Sequence, residues 1–195
     1  CSPFWRSLSF SNKSFKKIIN YKFKYKFKKC PNNIKEERKF SVTGENETIL
    51  TKTGTDENWT GTICEYSLDE IKEYRWKIKI LNSKNKDIMV GVAPSDFDVN
   101  SSSYNTHGWY LYCYFNYNNP PLYSGPPYKY GNKKTDLNKV KNEIIIVMNM
   151  EKRSLKFIID NQDKGESYTN IPLEKPIFPA VFLYNTNDSV EIVGC

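Results

Sequence analysis

The feature that most constrains this chain is an alternation of apolar and polar residues with a period of two. In YRWKIKIL, at residues 74–81, aromatic and aliphatic residues alternate with basic ones. The stretches SLKFIID at 154–160 and SVEIV at 189–193 repeat the alternation. Because successive side chains of a β-strand point to opposite faces, these stretches predict strands with one buried face.

Continuous apolar runs that are rich in β-branched residues predict a second kind of strand, in the centre of a sheet. These runs are IMVGVA at 88–93, EIIIVMNM at 143–150 and IFPAVFLY at 177–184. Short segments rich in Asn, Asp, Gly and Pro separate the predicted strands. Many short strands with frequent turns and almost no helical periodicity predict an all-β fold, an antiparallel sandwich or barrel.

Charge divides the chain into two parts. Residues 1–39 contain 12 basic and 2 acidic residues, whereas residues 40–195 contain 17 basic and 20 acidic ones. The basic residues are mostly Lys, which is typical of AT-rich codon usage and weakens a functional interpretation of the excess. We therefore predict a basic, aromatic N-terminal extension at 1–39 and one folded domain at 40–195. The negative net charge of that domain does not favour nucleic acid.

The extension contains the stretch YKFKYKFKK at residues 21–29. In an extended conformation its aromatic side chains lie on one face and its lysines on the other, as in an edge strand whose lysines discourage aggregation. The pattern predicts either an added strand or a partly disordered segment, joined to the domain by a hydrophilic linker at 31–39. A weaker alternative is contact of residues 1–39 with a membrane or with nucleic acid.

Groups that could support catalysis are scarce. The chain has one histidine, His107, and five cysteines without the short spacing of a structural zinc site. Cys113 is the best available nucleophile, but it lies in the middle of a predicted strand, where burial keeps a thiol protonated. We therefore expect no enzymatic activity, no cofactor and no bound metal. No run reaches the roughly 18 apolar residues of a membrane-spanning helix, and we expect a soluble, cytoplasmic protein.

Six motifs follow one another along the predicted domain: YRWKIKI, MVGVAPSDFD, GWYLYCYFN, LYSGPPYKYG, EIIIVMNMEKRSLKFIIDNQDKGESYTNIP and PIFPAVFLYNTNDSVEIV. The most specific are the W-x-I-x-I strand that begins at Trp76, the V-G-V-A strand at 90–93, and the hairpin carrying Met150, Leu155 and Phe157. In this order and spacing the chain resembles the SPRY domain over roughly residues 40–193.

The resemblance implies a two-layer antiparallel β-sandwich, a concanavalin-like jelly roll of the SPRY type. It also implies a non-enzymatic module that binds a protein or peptide through loops at one edge of the sandwich. The PRY segment that precedes many SPRY domains is not recognisable in KFSVTGENETILTKTG. The cysteine and histidine pattern of a RING or B-box domain is likewise missing from the sequence.

We predict that the binding edge is formed by residues 95–107 and 122–131, where aromatic residues cluster beside Gly and Pro. The candidate partner-binding residues are Asp96, Phe97, Asp98, Tyr104, His107, Tyr110, Tyr123, Tyr128 and Tyr130. Asp96 and Asp98 also resemble part of a cation site, but their position directly after a strand favours a turn. The alternative function is carbohydrate binding, since concanavalin-like sandwiches also serve as lectins.

The stretch GWYLYCYFN has two apolar faces. One face of the predicted strand carries Trp109, Leu111, Cys113 and Phe115, and the other carries Tyr110, Tyr112 and Tyr114. The first face predicts contact with the sandwich core. The tyrosine face predicts either ordinary packing or a partner pocket.

Overall fold

The structure is a computed structural model that describes residues 25–55, 57–69, 72–99, 108–113, 121–124, 133–134, 142–159, 161–163 and 165–195. Within these ranges the chain forms one 3-10 turn, Glu36–Arg38, and thirteen β-strands. The strands are β1 Phe40–Thr43, β2 Ile49–Lys52, β3 Thr60–Ile63, β4 Glu73–Asn82, β5 Ile88–Pro94, β6 Trp109–Tyr112, β7 Pro121–Ser124, β8 Lys133–Lys134, β9 Glu143–Asn149, β10 Ser154–Ile159, β11 Gln162–Asp163, β12 Ile177–Leu183 and β13 Ser189–Gly194. Over the same ranges, no helix has the length and apolar character needed to cross a membrane.

The strands form two antiparallel sheets. One has seven strands in the order β1-β2-β13-β4-β9-β10-β11, and the other has six in the order β3-β12-β5-β6-β7-β8. The last two strands of the chain each enter between earlier ones: β13 pairs with β2 and β4, and β12 pairs with β3 and β5. The predicted all-β, two-layer antiparallel sandwich is confirmed.

The main core lies between the two sheets. On β4, Tyr74, Trp76 and Ile78 are at most 1% exposed, whereas the intervening Arg75 is exposed. On the outward side of the same strand, Lys77 pairs with Glu143 on β9. The period of two thus places apolar side chains inside and paired charges outside, as the sequence predicts.

The outer face of the six-stranded sheet carries a second apolar cluster, which we call the outer cluster. Its buried members are Ile63, Met89, Ala93, Tyr110, Phe178, Ala180 and Phe182. This cluster explains why the runs at 88–93 and 177–184 are apolar without interruption: alternate residues of β5 and β12 are buried on opposite faces. The prediction that the three apolar runs form central strands is confirmed, because β5, β9 and β12 each pair with a strand on both sides.

The end of the YKFKYKFKK stretch packs as part of the sandwich. Phe27 is completely buried and Tyr25 is 5% exposed, and both belong to the main core. The Tyr25 hydroxyl donates a hydrogen bond to the Arg75 carbonyl at 3.1 Å, and its ring lies 5.8 Å from that of Trp76. Burial raises the pKa of Tyr25 well above its usual range.

Backbone hydrogen bonds tie the same segment to both sheets. The Phe27 N–H donates to the carbonyl of Glu47 between β1 and β2, and the Lys28 N–H donates to Ile63 at the end of β3. Ile34, further along, is also buried in the main core. Residues of the predicted N-terminal extension therefore supply side chains to the main core of the sandwich.

Two of the three lysines in the described part of this stretch form ion pairs with acidic residues. Lys26 lies in contact with Glu47 and 3.3 Å from Glu65, and Lys29 lies 2.7 Å from Glu47. Lys28 lies 5.0 Å from the centre of the Phe178 ring. These ion pairs reduce the positive charge that residues 25–29 offer to a polyanion. Contact of residues 1–39 with membrane or nucleic acid stays a prediction.

Candidate partner-binding edge

Four strands of the six-stranded sheet end at a common edge. Pro94 at the end of β5 pairs with Ile177 at the start of β12, and Val92 pairs with Trp109 at the start of β6. Trp109 in turn pairs with Ser124, the last residue of β7. The ends of β5 and β7 therefore lie beside the starts of β6 and β12. We call this the Pro94 edge.

The turn after β5 presents carboxylates and buries an aromatic ring between them. Asp96 and Asp98 are exposed, and Asp96 Oδ2 lies 2.5 Å from Lys175 Nζ in the segment before β12. Phe97 is half-buried and packs on the outer cluster, with its ring centre 5.3 Å from that of Phe182. The aromatic residue thus anchors the turn, while its neighbours face the surface.

The structure does not support the prediction that Tyr110 contacts a partner. Its side chain is completely buried in the outer cluster, edge-on to Phe182 at 5.4 Å. Burial raises the pKa of its hydroxyl well above the usual range. A side chain built on Gly108 would meet this hydroxyl at 2.4 Å, and the φ of Gly108 is +139°. Tyr110 is therefore a packing residue, because the strand directs its ring into the sheet's covered face.

Sequence reasoning missed two buried charges at the opposite end of the sandwich: Lys52 at the end of β2 in the seven-stranded sheet, and Asp87 just before β5 in the six-stranded sheet. Lys52 is 0% exposed, and its ammonium donates hydrogen bonds to the carbonyl oxygens of Asn58 and Tyr184. Asp87 is 8% exposed and accepts a hydrogen bond from the Tyr112 hydroxyl at 2.5 Å. The burial of Lys52 could have been suspected from its position in ILTK. It follows Leu50 by two residues, so the two side chains lie on the same face of the strand, and Leu50 is buried.

Three half-buried aromatic residues lie together at the end of the six-stranded sheet opposite the Pro94 edge. The Trp59 ring lies 5.6 Å from that of Tyr112 and 5.2 Å from that of Tyr184. Lys52 bonds the carbonyl of the residue before Trp59 and that of Tyr184 itself, so one ammonium fixes the backbone beside two of these rings. The buried lysine therefore orders the loop before β3 against the loop after β12.

A shallow cavity of about 170 Å³ lies elsewhere, on the outer face of the seven-stranded sheet. Two pairs of polar side chains in its lining are bonded to each other: Lys156 with Asp163 at 2.6 Å, and Glu166 with Ser154 at 2.9 Å. The hydrogen bond from Lys156 lowers the pKa of Asp163. This cavity is not part of the Pro94 edge, which lies on the six-stranded sheet.

Comparison with protein families identifies the fold. The family model of the SPRY domain matches residues 73–195, from the start of β4 through β13. This chain belongs to the SPRY domain family. SPRY domains are generally protein–protein interaction modules, and the chain accordingly carries a module of that kind. A comparison with curated protein sequences gave no match.

Solved SPRY domains share the architecture at low sequence identity. The crystal structure of the SPRY domain of human HERC1 is 18% identical, with a TM-score of 0.59 over 80% of this chain and 98% of that chain. The crystal structure of the TRIM65 PSpry domain is 11% identical, with a TM-score of 0.60 over 88% of this chain and 93% of that chain. Both matches extend N-terminally beyond the residues that the family model covers.

The described residues of the SPRY domain account for part of the predicted site. Asp96, Phe97 and Asp98 lie together at the Pro94 edge. Tyr123 lies in β7, one residue before the strand end at this edge, and its backbone pairs with that of Tyr110 in β6. The remaining predicted residues, Tyr104, His107, Tyr128 and Tyr130, lie outside the described residues. They belong to segments that begin or end at strands meeting at this edge.

The two buried thiols of the described chain, Cys113 and Cys64, are poor nucleophiles. Cys113 is completely buried, and burial raises its pKa to about 12, so only roughly one thiol in 10⁵ is ionised at neutral pH. Cys64 is equally buried, and its pKa is raised for the same reason. Among the described residues, no three His, Cys, Asp or Glu side chains form a group that could hold a metal.

Thiol alkylation tests this placement. We expect Cys195, which is exposed, to react with iodoacetamide in the native protein, and Cys113 to react roughly a hundredfold more slowly or less. Peptide mass spectrometry after a timed pulse measures both rates, and a pulse in denaturant provides the reference. Equal native rates at the two thiols would reopen the nucleophilic hypothesis for Cys113.

Proposed function

We propose that this SPRY domain recognises a short peptide or a protein loop at the Pro94 edge. The observation that carries the proposal is the turn after β5, where exposed Asp96 and Asp98 flank an anchored Phe97. An edge that is held in place by a buried ring loses little conformational entropy when a partner binds. The described strands β5 and β7, from which the predicted segments 95–107 and 122–131 continue, both end at this edge.

Peptide selection on the full chain tests the proposal. We expect a randomised display library, selected on the immobilised protein, to yield short peptides that bind with measurable Kd. Replacing Asp98, Tyr104 or Tyr128 by Ala should weaken the selected peptide about tenfold, since interface tyrosines and paired carboxylates commonly contribute this much. Fluorescence polarisation gives the Kd, and circular dichroism shows that each variant remains folded.

Glu151→Ala provides the matched control, because Glu151 is exposed in the turn between β9 and β10, on the other sheet. This variant should bind the selected peptide as the unaltered protein does. If the three edge variants bind equally well, the Pro94 edge is not the recognition surface. Competable binding to a glycan array, with no peptide selected, would favour the carbohydrate alternative instead.

A further inference from the structure

We propose that Lys175 is a positioning residue for the Pro94 edge. Through its ion pair with Asp96, Lys175 holds the turn after β5 in the geometry that a partner meets. This inference rests on the function proposed above and adds a residue that the role requires. Sequence patterns did not single out Lys175, because it lies 79 residues from Asp96 and only strand pairing brings the two together.

The ion pair joins two segments that the sheet places side by side. Lys175 Nζ lies 2.5 Å from Asp96 Oδ2, and the strands that follow and precede these residues pair at Ile177 and Pro94. The segment carrying Lys175 is itself anchored on both sides. Leu173 packs against the main core, and Ile177 is 1% exposed. Lys175 is therefore the fixed partner, and the Asp96 turn is the element that it restrains.

Two further contacts restrain the turn from within its own strand and sheet. The Phe97 N–H donates to the Pro94 carbonyl at 3.1 Å, and the Phe97 ring packs on Phe182. The Lys175 contact adds a restraint from the neighbouring segment. The side chains of Lys175 and Asp96 are 55% and 47% exposed, and ion pairs this exposed change an equilibrium by about onefold to fivefold. The pair is thus too weak to decide folding but strong enough to bias the turn.

Substitution of Lys175 separates these two effects. We expect Lys175→Met to weaken the selected peptide about threefold to fivefold and to leave the unfolding temperature unchanged. Lys175→Arg should bind like the unaltered protein, because a guanidinium also pairs with Asp96. In two-dimensional amide NMR of the free protein, the Phe97 signal should shift in Lys175→Met and stay in place in Lys175→Arg.

A charge swap distinguishes positioning from direct contact. The double variant Asp96→Lys with Lys175→Asp keeps an ion pair while reversing both charges. If the pair positions the turn, the double variant should recover the peptide Kd to within about twofold and restore the Phe97 signal. If the swap leaves binding as weak as in Lys175→Met, Asp96 contacts the partner directly and the positioning role is overturned.

The outcomes also separate this inference from the proposed function. Should Asp98→Ala weaken the peptide while Lys175→Met does not, the inference fails and the proposed edge survives. Should neither variant affect the peptide, the edge itself is wrong, and the Phe97 signal still reports whether the ion pair orders the turn. Lys72→Met is the matched control, because it breaks an exposed ion pair, 3.0 Å to Glu151, outside the Pro94 edge.

Discussion

A chain that begins at Phe40 is expected to lose cooperative folding, whereas a chain that begins at Tyr25 keeps every contact described above. The shorter chain lacks Phe27, Tyr25 and Ile34, which are 0%, 5% and 6% exposed in the main core. Removing one buried aromatic side chain costs about 3–5 kcal/mol. Loss of all three approaches the whole stability of a typical domain, about 5–15 kcal/mol. Thermal unfolding followed by circular dichroism measures the difference.

A point substitution tests the same segment with less disruption. Phe27→Ala should lower the free energy of unfolding by about 3–5 kcal/mol, because it leaves a cavity where the segment meets the end of β3. Lys29→Ala is the matched control: its side chain is 71% exposed, and its ion pair with Glu47 is worth about 0–1 kcal/mol. A chain starting at Phe40 that unfolds at the same temperature as the longer one would show that residues 25–39 are dispensable.

Replacement of Lys52 by Met is expected to have the second largest effect. Methionine approximately fills the volume of the lysine side chain, but it cannot donate the hydrogen bonds that the carbonyl oxygens of Asn58 and Tyr184 accept from Lys52. Each acceptor that loses its partner costs about 1–3 kcal/mol, so we expect the two together to lower the free energy of unfolding by about 2–6 kcal/mol. Urea denaturation with an unchanged m-value measures this loss.

Lys79→Met provides the control for this substitution. Lys79 lies on the outer face of β4, where its 3.4 Å pair with Glu191 is partly exposed, and its loss should cost at most about 1 kcal/mol. The two variants remove the same charge from neighbouring parts of one sheet. Equal effects would mean that burial of Lys52 contributes nothing, and that the loops at 53–59 and 184–188 are held by other contacts.

The predicted binding residues show where sequence reasoning succeeds and where it fails at this edge. The position of Asp96 and Asp98 was predictable, because a turn must follow the apolar run of β5 and polar residues in a turn face solvent. The burial of Tyr110 was not, since alternation assigns its side chain to a face without saying whether that face is covered. Burial of the outer cluster answers that question and places Tyr110 inside.

The sequence alone was enough to predict the all-β class, seven of the thirteen described strands and the SPRY family. Each depends on local periodicity and motif order, which follow from the alternating geometry of an extended chain. Only the tertiary structure decided that Tyr25 and Phe27 belong to the core, that Lys52 is buried, and that Lys175 meets Asp96. These contacts join residues far apart in the chain. A local pattern does not show which face of a strand other elements cover. It also does not show which side chain from a distant part of the sequence contacts that strand.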